Sequence, residues 1–279
     1  MGLRSVPARL EGGPMKKVAL LDADVINYQA AASAQRDYGD TIWTDISGAI
    51  EDALGQIQKE MEQASCEEVI LVYSPKNSTN WRKLVMPEYK MHRKATPKPV
   101  CYGELRDALE ARFEHISIDW LEGDDVFHML HRKIPNSVIV SIDKDMYTLP
   151  DCHYLRQHEM VWPQYTSQAA ADKFWLYQVL IGDTTDGYKG LKGCGPKGAE
   201  KLLKPFYRVL VDDQGEHYEE FDFDSAWEMI KEAYRAKGQD NWLEQAQMAR
   251  ILREGDYDSK AKRIRLFNPE REEWLQLPV

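Results

Sequence analysis

Apolar residues arrive along this chain in short dense runs, separated by stretches whose hydrophobic positions recur at helical spacing. Val18-Ala19-Leu20-Leu21, Glu68-Val69-Ile70-Leu71-Val72-Tyr73, Ile116-Ser117-Ile118 and Ser137 to Ile142 are runs of the first kind. Their length and aliphatic content predict strands buried on both faces. Between them lie Val25 to Ala34, a segment N-capped by Ser47 that runs through Ala49, Leu54, Ile57 and Met61, and Tyr102 to Phe113. A further segment starts at Glu122, with Val126, Phe127, Met129 and Leu130 as its buried face. These predict helices, and strands alternating with helices predict an α/β fold with a largely parallel sheet, to which His153-Tyr154-Leu155 adds a fifth strand. Beyond Ala169 the pattern turns helical, through Phe174 to Leu180, Ala199 to Leu203, Phe223 to Ala236 and Asn241 to Leu252. No internal repeat or low-complexity tract interrupts the chain.

Composition narrows the class without choosing a function. The 279 residues are 43% hydrophobic, enough for one large core or two modest ones. A formal charge of -10 argues against a protein that coats nucleic acid non-specifically, so any phosphate-binding surface must be local. Cys66, Cys101, Cys152 and Cys194 are too scattered for a zinc site or a disulfide framework and read as reduced thiols of a cytoplasmic protein. No apolar run is long enough to span a bilayer, so no membrane partner is expected. Met1 to Pro14 reads as a disordered extension ahead of the fold.

Charge patterning points to chemistry. Acids gather at predicted element ends: Asp22 and Asp24 after the first strand, Glu122, Asp124 and Asp125 at a helix start, Asp143 and Asp145 after the fourth strand, and Asp183 and Asp186 after a helix. Open α/β sheets bind ligands beyond their strand C-termini. Carboxylates massed there raise one another's pKa unless a cation intervenes, and an all-oxygen set suits magnesium or manganese. Asp24 is expected to cap the following helix. The opposite charge is concentrated between Ser74 and Pro99, where Lys76, Arg82, Lys83, Lys90, Arg93, Lys94 and Lys98 face a single acid, Glu88. Trp81, Tyr89 and His92 interleave with these cations, the combination that holds backbone phosphates and stacks bases. Gly187 to Ala199 carries the glycine spacing of a hairpin between two helices, whose amides can hold a phosphate. His128 and His131 read as surface or half-buried, and Trp120, Trp162, Trp175, Trp227 and Trp242 as core or boundary residues.

Taken in order, Leu20-Leu21-Asp22, Tyr89-Lys90-Met91-His92-Arg93-Lys94, Glu122-Gly123-Asp124-Asp125, Ser141-Ile142-Asp143-Lys144-Asp145 and Gly182-Asp183-Thr184-Thr185-Asp186 resemble the motifs of the 5'-nuclease superfamily, the flap endonucleases and 5'-3' exonucleases. Asn80-Trp81-Arg82-Lys83 and Gln247 to Arg253 look most like the replication exonucleases of short-tailed lytic phages. The resemblance runs from about Lys17 almost to the C-terminus. It implies a PIN-like catalytic domain over 15–165 and a helical region over 166–279 with a helix-hairpin-helix (helix-three-turn-helix) for DNA.

The implied activity is phosphodiester hydrolysis from 5' ends of duplex DNA, with flap cleavage and RNA-primer removal, by two magnesium ions about 4 Å apart for which manganese can substitute. Asp22, Glu122 and Asp124 would serve the first ion, Asp143, Asp145, Asp183 and Asp186 the second, and Asp125 either. Lys90 and Arg93 would neutralise the scissile phosphate and Tyr89 would stack on the end nucleotide. Arg82, Lys83, Lys94, Gly190, Gly193, Gly195 and Lys197 would contact DNA, with a potassium ion at the glycine hairpin. The implied setting is phage replication in the host cytoplasm, on nicked, flapped or RNA-DNA hybrid substrates and beside a polymerase.

Two departures stand out. Tyr73-Ser74-Pro75 lacks the aspartate that usually follows the second strand, and Gly187-Tyr188-Lys189-Gly190 replaces an Asn-Ile-Pro-Gly step. Two rival readings remain at this point. Leu20-Leu21-Asp22-Ala23-Asp24-Val25 also looks like the first motif of haloacid dehalogenase-type phosphatases, and the chain could be a DNA-structure binder with a decayed metal site.

Overall fold

The structure, a computed structural model, describes residues 16–91, 97–134 and 136–278. The extension expected over Met1 to Pro14, with His92, Arg93 and Lys94 of the basic strip, lies outside them. Strands β1 (Val18–Asp22), β4 (Glu68–Tyr73), β5 (His115–Ser117), β6 (Ser137–Ser141), β7 (Cys152–Arg156) and β8 (Gln164–Thr166) form one sheet in the order β5-β4-β1-β6-β7-β8. All neighbouring pairs are parallel except β7 with β8. β1 connects outward to β4, whereas β6 connects to β7 on the other side. The crevice between β1 and β6 is therefore the sheet's switch point, where open α/β folds take their ligands.

Side chains along the central strands alternate between two cores. Ala19, Leu21, Leu71, Tyr73, Val138 and Val140 face α1 (Ala23–Ser33), α2 (Ile46–Gln63) and, beyond the single turn α3 (Arg82–Val85) in the chain, α4 (Tyr102–Glu110). Val18, Leu20, Ile70, Val72 and Ile139 face the other way, onto α5 (Gly123–Lys133) and α6 (Gln168–Ile181). Every β1 side chain is buried, which is why the strand reads as an unbroken apolar run.

The second core continues into the C-terminal half. There α7 (Pro196–Leu203), α8 (Phe223–Ala236) and α9 (Trp242–Ala249) pack around α6, with Trp175 Nε1 donating to Ala246 O at 3.0 Å and Tyr234 OH to Val179 O at 2.6 Å. The expected division at 165/166 thus cuts through β8 and through one hydrophobic cluster.

The C-terminal region is also not wholly helical. A hairpin of β9 (Tyr207–Val211) and β10 (His217–Phe221) and a three-stranded antiparallel sheet of β11 (Tyr257–Asp258), β12 (Arg263–Leu266) and β13 (Glu273–Gln276) accompany the helices. Near the N-terminus a small hairpin, β2 (Gln35–Asp37) with β3 (Ile42–Thr44), was not anticipated either. The α2 N-cap is Asp45, whose carboxylate accepts from Gly48 N at 2.9 Å, rather than Ser47. Trp162 is 65% exposed, not a core or boundary residue, because it sits in the loop leading to the sheet's edge strand. His128 is buried, hydrogen-bonded to Pro150 O and accepting from Glu254 N, so it is not a surface residue. The four cysteines are free, and no helix among the described residues is long and apolar enough to cross a membrane.

Candidate metal centre

Asp22 ends β1 and Ser141 ends β6, and the crevice between them is closed by a hydrogen bond from Ser141 Oγ to Asp22 Oδ2 at 2.7 Å. Asp143 N donates to the same hydroxyl at 3.1 Å, so one serine ties both acids to the switch point. Burial pushes the Asp22 carboxyl up to about 7, with Asp24 and Asp143 adding repulsion and the Ser141 hydrogen bond opposing it. Asp24 is not a helix cap. It accepts from Ser74 N at 2.7 Å and from Tyr102 OH at 2.8 Å, which places a carboxylate against the backbone where the sequence lacks the expected aspartate after β4.

The N-terminus of α5 brings Glu122 and Asp124 to the same crevice. Gly123, just after Glu122, packs on the end of β4, where a Cβ would lie 3.6 Å from Ser74 N. Glu122 Oε1 accepts from Lys90 Nζ at 2.7 Å, and Oε2 from Tyr89 OH and Arg82 Nη1, each at 3.0 Å. Burial alone would raise this carboxyl, but Lys90 and Arg82 hold it down at about 2. At Asp124 burial, Asp143 and Asp22 outweigh the pull of Lys90 and push the carboxyl well above the usual carboxylate range. Lys90 also lies 3.4 Å from Asp186. Its backbone is in the left-handed region, at φ 53°, pinned by Lys90 N donating to Asp186 O at 2.9 Å.

The third contribution comes from the turn after α6. Gly182 and Gly190 have φ of 71° and 65°, and each would drive a Cβ to 2.4 Å from the other strand of the turn. Only glycine permits this approach. It is locked by hydrogen bonds between Asp183 and Tyr188 and from Leu191 N to Leu180 O. Asp183 and Asp186 thereby face the turn of 3-10 helix after Asp143. There Lys144 Nζ bridges Asp145 Oδ1 at 2.9 Å and Asp183 Oδ2 at 3.1 Å, and Gln178 Nε2 also donates to Asp145. Burial raises Asp145 to about 6, with Asp143 adding to it and Lys144 opposing. Asp183 is lowered, as Lys144 outweighs burial.

The cleft so formed is lined by Arg82, Tyr89, Glu122, Asp124, Asp145, Asp186, Tyr188, Met248, Ala249 and Ile251. Its last three residues were assigned no part in the site from sequence, although they belong to the Gln247 to Arg253 segment noted there. Several expected roles change. Asp125 is fully buried, and its oxygens accept from Arg82, Trp81 Nε1, Glu122 N and Leu252 N, so it has no edge left for an ion. Arg82 is itself buried in that pairing and does not face DNA. Tyr89 is 2% exposed with its hydroxyl bound to Glu122 and to Asp186, so its ring is no open platform for a base. Gly190 is buried, its N–H taken by Gln245 and its carbonyl by Gln239. The buried Asp125 draws Arg82 inward because opposite charges attract most strongly away from water. Lys83 is half-buried, whereas Gly193, Gly195 and Lys197 are exposed together around the start of α7.

An all-oxygen donor set fits hard divalent cations. Burial, and after it mutual repulsion, lifts Asp22, Asp124 and Asp145, and such an ion would offset both. Among the described residues, however, no three acidic, His or Cys side chains already stand close enough to hold an ion.

Residues 17–174 match the family of the 5'-3' exonuclease N-terminal resolvase-like domain. The chain is 32% identical over 291 residues to an exonuclease of Escherichia phage T7, covering 93% of this chain and 96% of that one. It is also 32% identical over 290 residues to an exodeoxyribonuclease of Enterobacteria phage T3, covering 93% and 95%. Its fold matches that of a zinc-bound 5'-exonuclease of T5 with a TM-score of 0.55 at 15% identity, over 84% of this chain and 89% of that one. With acids from β1, α5, β6 and the turn after α6 meeting at the sheet's switch point, the chain belongs to the 5'-3' exonuclease family.

Proposed function

We propose that this protein is a divalent-metal-dependent 5'-3' exonuclease of phage DNA replication that hydrolyses duplex DNA from 5' ends. The observation that carries the reading is the meeting of Glu122, Asp124, Asp145 and Asp186 around one cleft beside Lys90, with Asp22 and Asp143 near enough to repel Asp124. Two magnesium ions, or manganese in their place, would supply an activated water and stabilise the leaving oxygen. Asp22, Glu122 and Asp124 would hold one ion, and Asp143, Asp145, Asp183 and Asp186 the other. Lys90, 15% exposed and fixed between Glu122 and Asp186, is a preorganised cation for the phosphate. Arg93 would assist it, and Lys83 and Lys94 would extend the positive surface.

The exposed Gly193, Gly195 and Lys197 would track the duplex backbone, and carbonyls of this hairpin would hold a potassium ion. Action on flaps and RNA-DNA hybrids, beside a replicative polymerase in the host cytoplasm, completes the proposal. The phosphatase alternative leaves the Glu122 and Asp186 half of the cleft without a role. Incubation of 5'-labelled duplex, nicked and flapped DNA with and without magnesium tests the reading. Release from the 5' end only with magnesium is expected, with Asp143→Ala inactive but still binding DNA. Magnesium-dependent turnover by that variant would remove Asp143 from the ligand set, and an aspartyl-phosphate trapped on Asp22 would overturn the assignment.

A further inference from the structure

We infer that Arg82, with Asp125, is a positioning residue that makes the placement of Glu122 depend on the C-terminal segment Met248–Leu252, an inference that rests on the metal-dependent reading above. A guanidinium has five N–H donors. Arg82 Nε donates to Met248 O at 3.3 Å, Nη1 to Glu122 Oε2 at 3.0 Å and Asp125 Oδ2 at 2.8 Å, and Nη2 to Asp125 Oδ1 and Arg250 O, each at 2.7 Å. The donor set is thus fully used between two acids and two carbonyls 166 and 168 residues away. Its flat face lies 4.5 Å from the Trp81 ring centroid, which fixes the plane.

Asp125 completes the brace from the other side. It accepts Leu252 N at 3.2 Å and Glu122 N at 3.2 Å, so one carboxylate holds both the far segment and the backbone that carries Glu122. Met248, Ala249 and Ile251 of that segment wall the same cleft as Glu122. Tertiary packing of the last helices is thereby read directly at an acid of the reaction centre. Arg82 touches neither ion nor DNA in this scheme. It orients Glu122, as outer partners orient metal ligands elsewhere. A lysine there keeps the charge but cannot make the planar, five-bonded contact.

Arg82→Lys is therefore expected to lower manganese affinity, measured by calorimetry without DNA, about tenfold. It should lower the single-turnover cleavage rate about a hundredfold while KM for duplex DNA stays within about twofold. A variant that folds but keeps wild-type manganese affinity, or loses only DNA binding, overturns the inference. Because breaking a buried pair can unfold a protein, a second measurement uses the wild type alone. By reciprocity, manganese binding should slow hydrogen exchange in the peptide containing Leu252 as well as in the one containing Glu122. Protection of the Glu122 peptide with an unchanged Leu252 peptide overturns the brace. Absence of any manganese binding to the wild type overturns instead the metal-dependent reading on which it rests.

Discussion

Asp22→Asn should make the protein more stable and unable to work. Asp22 is 8% exposed, and its carboxyl is raised from 3.8 to about 7, first by burial and then by Asp24 and Asp143. The sign follows from proton counting. Between pH 4 and 7 the folded state holds a proton that the unfolded state has released, so stability without metal falls as pH rises through that window and levels off above it. A shift from 3.8 to about 7, at 1.36 kcal/mol per unit, sets the penalty at pH 8 at roughly 4 kcal/mol. Asparagine keeps an oxygen for the Ser141 hydroxyl and removes the charge. At about 2 to 4 °C per kcal/mol for a chain of this size class, the expected gain in Tm at pH 8 in EDTA is on the order of 10 °C.

The assay is thermal unfolding from pH 4.5 to 8.5, with and without magnesium. Wild type should lose stability toward pH 7 in EDTA and regain it with magnesium, while Asp22→Asn shows a flatter pH profile and little response to the ion. Metal affinity of the wild type should fall about tenfold per pH unit below about 7, since the ion must displace that proton. A flat wild-type profile in EDTA, or a variant less stable than wild type at pH 8, would refute the reasoning.

Other outcomes follow from the same geometry. Lys90→Ala removes the cation with the stronger pull on Glu122, which is held at about 2, so single-turnover cleavage should fall by about 10²-fold or more with folding retained; an unchanged rate removes Lys90 from the chemistry. Gly190→Ala forces a Cβ to 2.4 Å from Gly182 N at a φ of 65° and should cost roughly 3 kcal/mol or more, read as a lowered urea midpoint; a neutral result contradicts the close-approach account. Lys197→Ala, at an exposed position near the start of α7, should weaken duplex binding and make the plot of log affinity against log salt shallower by about one, and an unaltered slope counts against that contact.

The elements most legible in the sequence were those that local pattern controls. Glu68–Tyr73 and Phe223–Ala236 appear with the bounds expected from their runs, and α1, α5 and β6 appear close to theirs. The hairpin of β9 and β10 falls inside the stretch expected to be helical, although the Asp212-Asp213-Gln214-Gly215 turn, with Gly215 at φ 86°, is a local signal for it. The basic strip misled for another reason. Lys76 pairs with Asp107 and Glu110, Arg82 with Asp125, and Lys98 lies 4.0 Å over the Tyr102 ring, so cations that look free in sequence have partners far along the chain.

By itself the sequence determined the strand and helix alternation and the placing of acids just past element ends, because side-chain periodicity and the chemistry of a carboxylate are local properties. Only tertiary structure decided which acids share the cleft and which are consumed as scaffold. Asp124 and Asp125 are neighbours of one type, yet α5 turns the first toward Asp22 and Asp143 and the second into Arg82, Trp81 and the Leu252 amide. That choice belongs to packing, since a helix sends successive side chains about 100° apart and the surroundings of each come from other segments, as far off in sequence as Asp22 for Asp124 and Leu252 for Asp125.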